Sequence, residues 1–263
     1  METNTLPPGY RLLWYEIESI LGQGGFGITY LAKDTNLDQQ VAIKEFFPTS
    51  YATRTQDIQV RAMSKKNAET YAWGLTRFLT EAQTLAKFRH PCIVQVFSVF
   101  EANGTAYMVM EFVRGESLGD QLKSGRGGEE PHLLQLANRL LDGLQLIHDA
   151  GFIHRDIKPD NIFLRENGSP VLLDFGSARL AIGTLTQTLT MLVSPGYAPF
   201  EQYSSSQSEG GRQGPWTDLY SLGATLYMAI SGRGPADSVA RATATLSQHA
   251  DPMLPAVDVG KGR

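Results

Sequence analysis

The sequence has one cysteine, Cys92, in 263 residues. That excludes an internal disulfide and suits a reducing cytoplasm. Cys92 lies in an apolar run, so it is expected to be a buried small hydrophobe rather than a nucleophile. No apolar run approaches the ~20 residues that span a bilayer. The first residues lack the basic-then-apolar order of a secretory leader. The expected location is cytoplasmic, with a membrane anchor on a longer parent chain left open. Neither sign of charge dominates: 23 basic residues stand against 27 acidic ones, a net of −4. A nucleic-acid-binding footprint is therefore not expected. No internal repeat is visible. What is present is 42% hydrophobic residues, enough for the core of one large domain or of two lobes.

The stretch around which the rest is organised is Ile153-His154-Arg155-Asp156-Ile157-Lys158-Pro159-Asp160-Asn161. Apolar segments flank three polar groups at a fixed pitch. Asp156 can orient an attacking hydroxyl or accept its proton, Lys158 can neutralise a transferring phosphoryl group, and Asn161 offers an oxygen to a metal. A charged surface turn is the plainer reading of the same residues.

Upstream, Gly22-Gln23-Gly24-Gly25-Phe26-Gly27 lies between two strand candidates, and β-formers follow it. A dinucleotide fold needs a helix after the last glycine, so that reading is disfavoured. Val41-Ala42-Ile43-Lys44 is the next strand, with a lysine at its end. Residues 69–88 read as an amphipathic helix with Glu81 beside its apolar face. Two strands follow, 93–100 and 106–112, turning at Ala102-Asn103-Gly104. Residues 133–147 give a helical stripe ended by His148 and Gly151. Short paired strands at 162–164 and 171–173 lead to Asp174-Phe175-Gly176. Trp216–Ile230 is apolar nearly all round, which predicts a central buried helix, with Asp218 taking backbone hydrogen bonds from the Asp156 loop.

In this order the motifs resemble the protein kinase family, in particular its bacterial eukaryotic-like serine/threonine members. The resemblance implies an α+β, two-lobed fold. An antiparallel-sheet N-lobe with one main helix precedes a mostly helical C-lobe whose last helices are missing. The implied division is a flexible leader 1–9, an N-lobe 10–110 with an insertion 45–68, a hinge 111–116 and a partial C-lobe 117–263. The insertion reads as a surface docking element or a mobile flap. The resemblance covers about residues 10–232, and no arginine partner for Glu201 is visible; Arg241 comes too early.

The implied activity is transfer of the ATP γ-phosphoryl group to protein Ser or Thr hydroxyls, with autophosphorylation of the chain's own activation segment. Asp156 and Lys158 would be catalytic, with Lys44 paired to Glu81. Gly22, Gln23, Gly24, Gly25, Phe26, Gly27, Thr29, Ala42, Lys44, Met110, Glu111 and Val113 would bind ATP. Glu116 or Ser117 could reach the ribose. Thr29 departs from the family's usual valine. Asn161 and Asp174 would hold magnesium (Mg2+), with manganese (Mn2+) as a substitute. Ser194 would position the substrate, bridging Asp156 and Lys158. Thr190, then Thr188, are the phosphorylation candidates, with Arg155 as phosphate partner. His148 and His154 are assigned structural roles. The implied partners are ATP, a protein substrate, and a second copy or another protein covering the incomplete C-lobe. A nucleotide-binding pseudokinase or scaffold is the alternative function. A small-molecule phosphotransferase is a third, opposed by the peptide-docking character of Ser194–Glu201.

Overall fold

The structure is a computed structural model and describes residues 4–175, 193–203 and 213–260. Gly176, Thr188 and Thr190 lie outside the described residues. The described chain divides into two compact units. The first comprises the residues up to Arg89 and Val94–Phe112; the second comprises His90–Ile93 and the residues from Val113 onward.

The first unit is built on strands β1 (Arg11–Leu12), β2 (Tyr15–Gln23), β3 (Gly27–Asp34) and β4 (Gln39–Phe46). A small hairpin, β5 (Ala52–Arg54) and β6 (Val60–Ala62), comes next. Helix α1 (Lys65–Leu85), β7 (Val96–Ala102) and β8 (Thr105–Glu111) complete the unit. The six-stranded sheet has the order β1-β2-β3-β4-β8-β7 and is antiparallel throughout. The β7–β8 turn has Asn103 at φ 52° and Gly104 at φ 71°, the pair of left-handed residues that a tight twisted hairpin needs. Helix α1 begins four residues before the expected 69, because the Ser64 side chain accepts from the Asn67 amide and caps it. Its buried stripe is Thr70, Tyr71, Gly74, Phe78, Glu81, Ala82 and Leu85.

Two expectations for this unit are narrowed by its packing. The leader is not loose over its described part: Leu6 is 1% exposed, and its amide donates to the Tyr30 hydroxyl at 3.1 Å. Of the two readings of the insertion, its packing favours the docking element over the flap. Its hairpin packs down, with the Val60 amide bonded to Asn103 O at 2.7 Å and the Arg54 side chain buried. Composition shows that such segments are polar but not that one buried cation anchors them.

The second unit contains β9 (Gly115–Ser117), α2 (Leu118–Lys123), α3 (Glu130–Asp149), β10 (Ile162–Arg165), β11 (Pro170–Leu172), α4 (Pro215–Ser231), α5 (Ser238–Leu246) and α6 (Ala256–Val259). β9, β10 and β11 form an antiparallel sheet. The stripe Leu133, Leu136, Leu140, Leu144 and Ile147 buries α3, and Gly143 lets it approach Cys92. Cys92 is 3% exposed, as expected, and burial pushes its thiol pKa up.

Helix α4 differs from expectation. Trp216 and Leu219 are about half exposed, while Thr217, Asp218, Ser221 and Thr225 are buried. Its buried face is hydrogen-bonded rather than purely apolar: Ser221 Oγ donates to Tyr197 O at 2.9 Å. The stretch after residue 232 holds α5, nine residues capped by Asp237, whose carboxylate accepts from the Val239 and Ala240 amides. Ser238 Oγ donates to Ala198 O at 2.8 Å, tying α5 to the segment that starts at Ser194.

Candidate active site

Strand register gathers the proposed nucleotide residues of the first unit on one face. Directly paired residues of neighbouring strands share a face, and alternate residues along a strand share it too. Thr29 pairs with Lys44 and Gly22, Leu31 with Ala42, and Ala42 with Met110. So Gly22, Thr29, Ala42, Lys44 and Met110 lie on the same side. Phe46, two residues after Lys44, packs against Tyr71 and Phe78 of α1 with tilted rings, centroids 5.5 and 5.7 Å apart. That puts Lys44 on the α1 side of the sheet, and α1 carries Glu81 on its buried stripe at 3% exposure. A carboxylate that buried in a helix is held for a reason other than solubility.

The glycine turn separates two kinds of requirement. A Cβ on Gly27 would sit 2.6 Å from Glu45 O, so the fold itself demands glycine there. At Gly22, Gly24 and Gly25 a Cβ would meet nothing within 4 Å. None of these three has a positive φ. Neither packing nor backbone conformation explains them, whereas a ligand approaching the backbone would.

Further along, Glu111 donates its amide to Gln95 O at 2.9 Å, which takes that donor away from a ligand. A base-binding role at this position rests on the carbonyl. Val113 is buried. Glu116 forms a two-pronged pair with Arg126, both contacts at 2.7 Å, and Ser117 caps α2. Both ribose candidates are therefore engaged within the protein.

The opposite face of the sheet carries a constellation that sequence reasoning missed. Glu45 is fully buried. It accepts from Arg54 Nη2 at 2.6 Å, Tyr30 OH at 2.8 Å and Tyr107 OH at 2.7 Å. Burial first, then the Glu45 charge, push both tyrosine pKa values well up. The signal was present in the pattern: Glu45 falls on the buried phase of a strand, and a lone charge there needs a partner.

In the second unit the Asp156 loop is hung on Asp218. This carboxylate, 0% exposed, accepts from the amides of His154 and Arg155, both at 2.8 Å, and contacts His148 Nε2 at 2.8 Å. Arg155 is held at φ 70°, a conformation that costs a non-glycine residue about 1–2 kcal/mol. Its carbonyl accepts from Gln202 Nε2 and its Nε donates to Gln213 Oε1, both at 2.9 Å. These two glutamines were not foreseen.

His154 is fully buried, and burial holds its pKa below the ordinary imidazole value. Its Nε2 meets Leu173 O at 3.0 Å, and its Nδ1 accepts from the Asp156 amide at 3.2 Å. Both contacts fit one neutral tautomer, protonated at Nε2. Phe175 packs on the same ring at 4.1 Å between centroids.

Asp156 itself is 7% exposed and sits in a dense polar group. Its Oδ1 accepts from Ser194 Oγ at 2.9 Å, and its Oδ2 accepts from Asn161 Nδ2 at 2.8 Å. Lys158 Nζ lies 3.2 Å from Asp156 Oδ2 and donates to Ser194 Oγ at 3.1 Å. Ser194 thus stands between the two charged groups. The Leu173 amide bonds to Asn161 O at 2.9 Å, which brings Asp174 next in line to Asn161. Asp174 is exposed at φ 54°. Two hard oxygen-bearing side chains, one neutral and one anionic, fit a magnesium-type ion that keeps water and phosphate oxygens as its other ligands.

Glu201 is not left alone: Thr217 Oγ1 donates to it at 2.9 Å. Arg241 pairs with Asp251 at 2.8 Å, so it is not the partner of Glu201.

The family model described as a protein kinase domain matches residues 15–255. The chain therefore belongs to the protein kinase domain family, and the match runs past the expected limit of 232 to include α5. A probable serine/threonine-protein kinase of Streptomyces coelicolor is 36% identical over 84% of this chain. Serine/threonine-protein kinase pkn2 of Myxococcus xanthus is 37% identical over 88%. The chain spans only 30% and 26% of the length of these two relatives. Among solved structures, the apo form of PpkA-294 is 40% identical with a TM-score of 0.85, covering 97% of this chain and 87% of that one.

Proposed function

We propose that the chain transfers the γ-phosphoryl group of ATP to Ser or Thr hydroxyls of proteins, its own included. The observation that carries this reading is the Asp156–Ser194–Lys158–Asn161 group. Asp156 orients the acceptor hydroxyl and takes its proton late in the transfer. Lys158 presents a positive charge where negative charge develops on the phosphoryl oxygens. Ser194 holds these two side chains at a fixed separation, and the Asn161 amide fixes the second oxygen of Asp156.

The glycine turn supplies backbone amides to phosphate oxygens, and the open space at Gly22, Gly24 and Gly25 is what that approach requires. Lys44, paired with Glu81, takes charge on the non-transferred phosphates. The base lies against Thr29, Ala42 and Met110. Asn161 and Asp174 would hold Mg2+, or Mn2+ in its place, and the ion would neutralise phosphate charge when bound. The same reading assigns Arg155 to a phosphorylated Thr190 or Thr188.

Incubation with Mg–ATP followed by mass spectrometry tests this. Phosphate is expected on Ser or Thr of the chain, absent in Asp156→Asn. Nucleotide binding without any Asp156-dependent transfer would point to the scaffold reading instead.

A further inference from the structure

The strand β4 does not end freely at Phe46. The Phe47 amide donates to Phe26 O at 3.1 Å. The Thr49 amide donates to Gly25 O at 3.0 Å, and Thr49 Oγ1 reaches the same oxygen at 3.3 Å. Two consecutive carbonyls at the tip of the glycine turn therefore point at the segment Phe47-Pro48-Thr49. In a planar trans peptide the C=O and the following N–H point in opposite directions. The Phe26 and Gly27 amides are thus aimed away from that segment.

The segment is itself anchored. Phe47 is fully buried, with the Arg54 guanidinium 5.2 Å over its ring. Arg54 donates to Glu45 Oε2 at 2.6 Å, Ile58 O at 3.0 Å and Asn4 O at 3.0 Å. Pro48 O accepts from the Tyr51 and Ala52 amides, both at 2.9 Å, so the chain turns at once towards β5.

We infer that Phe47-Pro48-Thr49, braced by the buried Arg54, is a strap that positions the glycine turn and orients its amides for nucleotide phosphate. Thr49 and Arg54 are then positioning residues, acting through the turn without touching the nucleotide. This rests on the kinase reading and deepens it. An unbraced glycine turn samples many backbone states, and each must be given up on binding. The strap removes most of that cost before the ligand arrives.

The test uses the full chain with Mg–ATP and a peptide acceptor, together with amide hydrogen exchange of the glycine turn. Thr49→Pro removes both Thr49 bonds to Gly25 O and suits the second position of a turn. It leaves Arg54 and Glu45 untouched. The expected result is a KM for ATP raised about fivefold with kcat within about twofold, the pattern of lost ground-state binding. Exchange in the turn should quicken. Thr49→Ser, which keeps both donors, should behave as the wild type. Thr49→Ala, which keeps the amide alone and does not disturb the backbone, should fall between. Unchanged KM and unchanged exchange in Thr49→Pro, with a wild type that binds ATP, would overturn the strap alone. A wild-type chain that binds no Mg–ATP would overturn the kinase reading and the strap's role with it.

Discussion

Replacing Asp218 by asparagine should damage both stability and transfer. Asp218 is 0% exposed and serves three donors: the His154 amide, the Arg155 amide and the His148 ring. Each carboxylate oxygen is used by a backbone amide. Asparagine offers one oxygen and turns an NH2 group towards the other donor. At least one backbone N–H then loses its acceptor in a place that water does not reach. An orphaned buried donor costs about 1–3 kcal/mol, and loss of the charge weakens the remaining bond by a further ~1 kcal/mol or more. Removing the buried charge also removes its own desolvation cost, but the donors stay behind, so the orphan dominates. The sum is about 2–4 kcal/mol, or roughly 5–15 °C in melting temperature for a chain of this size.

The catalytic consequence follows from the same bonds. They hold Arg155 at φ 70°, and Asp156 is the next residue. Once that conformation relaxes, Asp156 shifts relative to Ser194 and Lys158. A displacement of about 1 Å in such a group costs on the order of 100-fold in rate. Thermal melting by circular dichroism and single-turnover phosphotransfer would read the two effects. A melt within about 2 °C of wild type together with a rate within about threefold would refute the reasoning.

Three further outcomes are expected. Gly27→Ala should cost about 1–3 kcal/mol in a urea melt, because the new Cβ meets Glu45 O at 2.6 Å. Gly24→Ala, with nothing nearby, should leave the melt unchanged and weaken ATP binding measured by calorimetry. Arg54→Met strands the Glu45 carboxylate and should destabilise the first unit by about 3–5 kcal/mol, read by the denaturant midpoint. Finally, His154 has a depressed pKa in the folded chain. Between that value and the ordinary one the unfolded chain binds more protons, so stability falls as the pH drops through 6.5. The fall is at most ~1.4 kcal/mol per pH unit from this group, and His154→Gln should flatten it in urea titrations at several pH values.

The candidate site residues could be named from the sequence because their types and order are themselves the signal. A glycine run between strands, a lysine ending the next strand and the Asp156–Asn161 stretch follow in a fixed order. The helical stripe of α3 was legible too, because hydrophobic period and buried face coincide there, whereas in α1 Leu75 and Leu79, and the C-cap Ala86, stay half-buried and Gly74 and Glu81 complete the buried face. The resemblance to the kinase family implied that Asp218 lies under the Asp156 loop, and the structure supplies the two amides it holds.

Folding decided what depends on partners distant along the chain. Glu45 read as the first residue of a polar insertion until Arg54, Tyr30 and Tyr107 closed on it across 9, 15 and 62 positions. The segment after Phe46 looked loose because loops are judged by polarity, while its order comes from one buried guanidinium. Helix α4 looked buried all round because hydropathy counts side chains without knowing which face meets bonded polar groups. Periodicity can state that a residue is inside; only the packed chain states what is there to meet it, since the cost of burying a polar or charged group depends on the partner it finds.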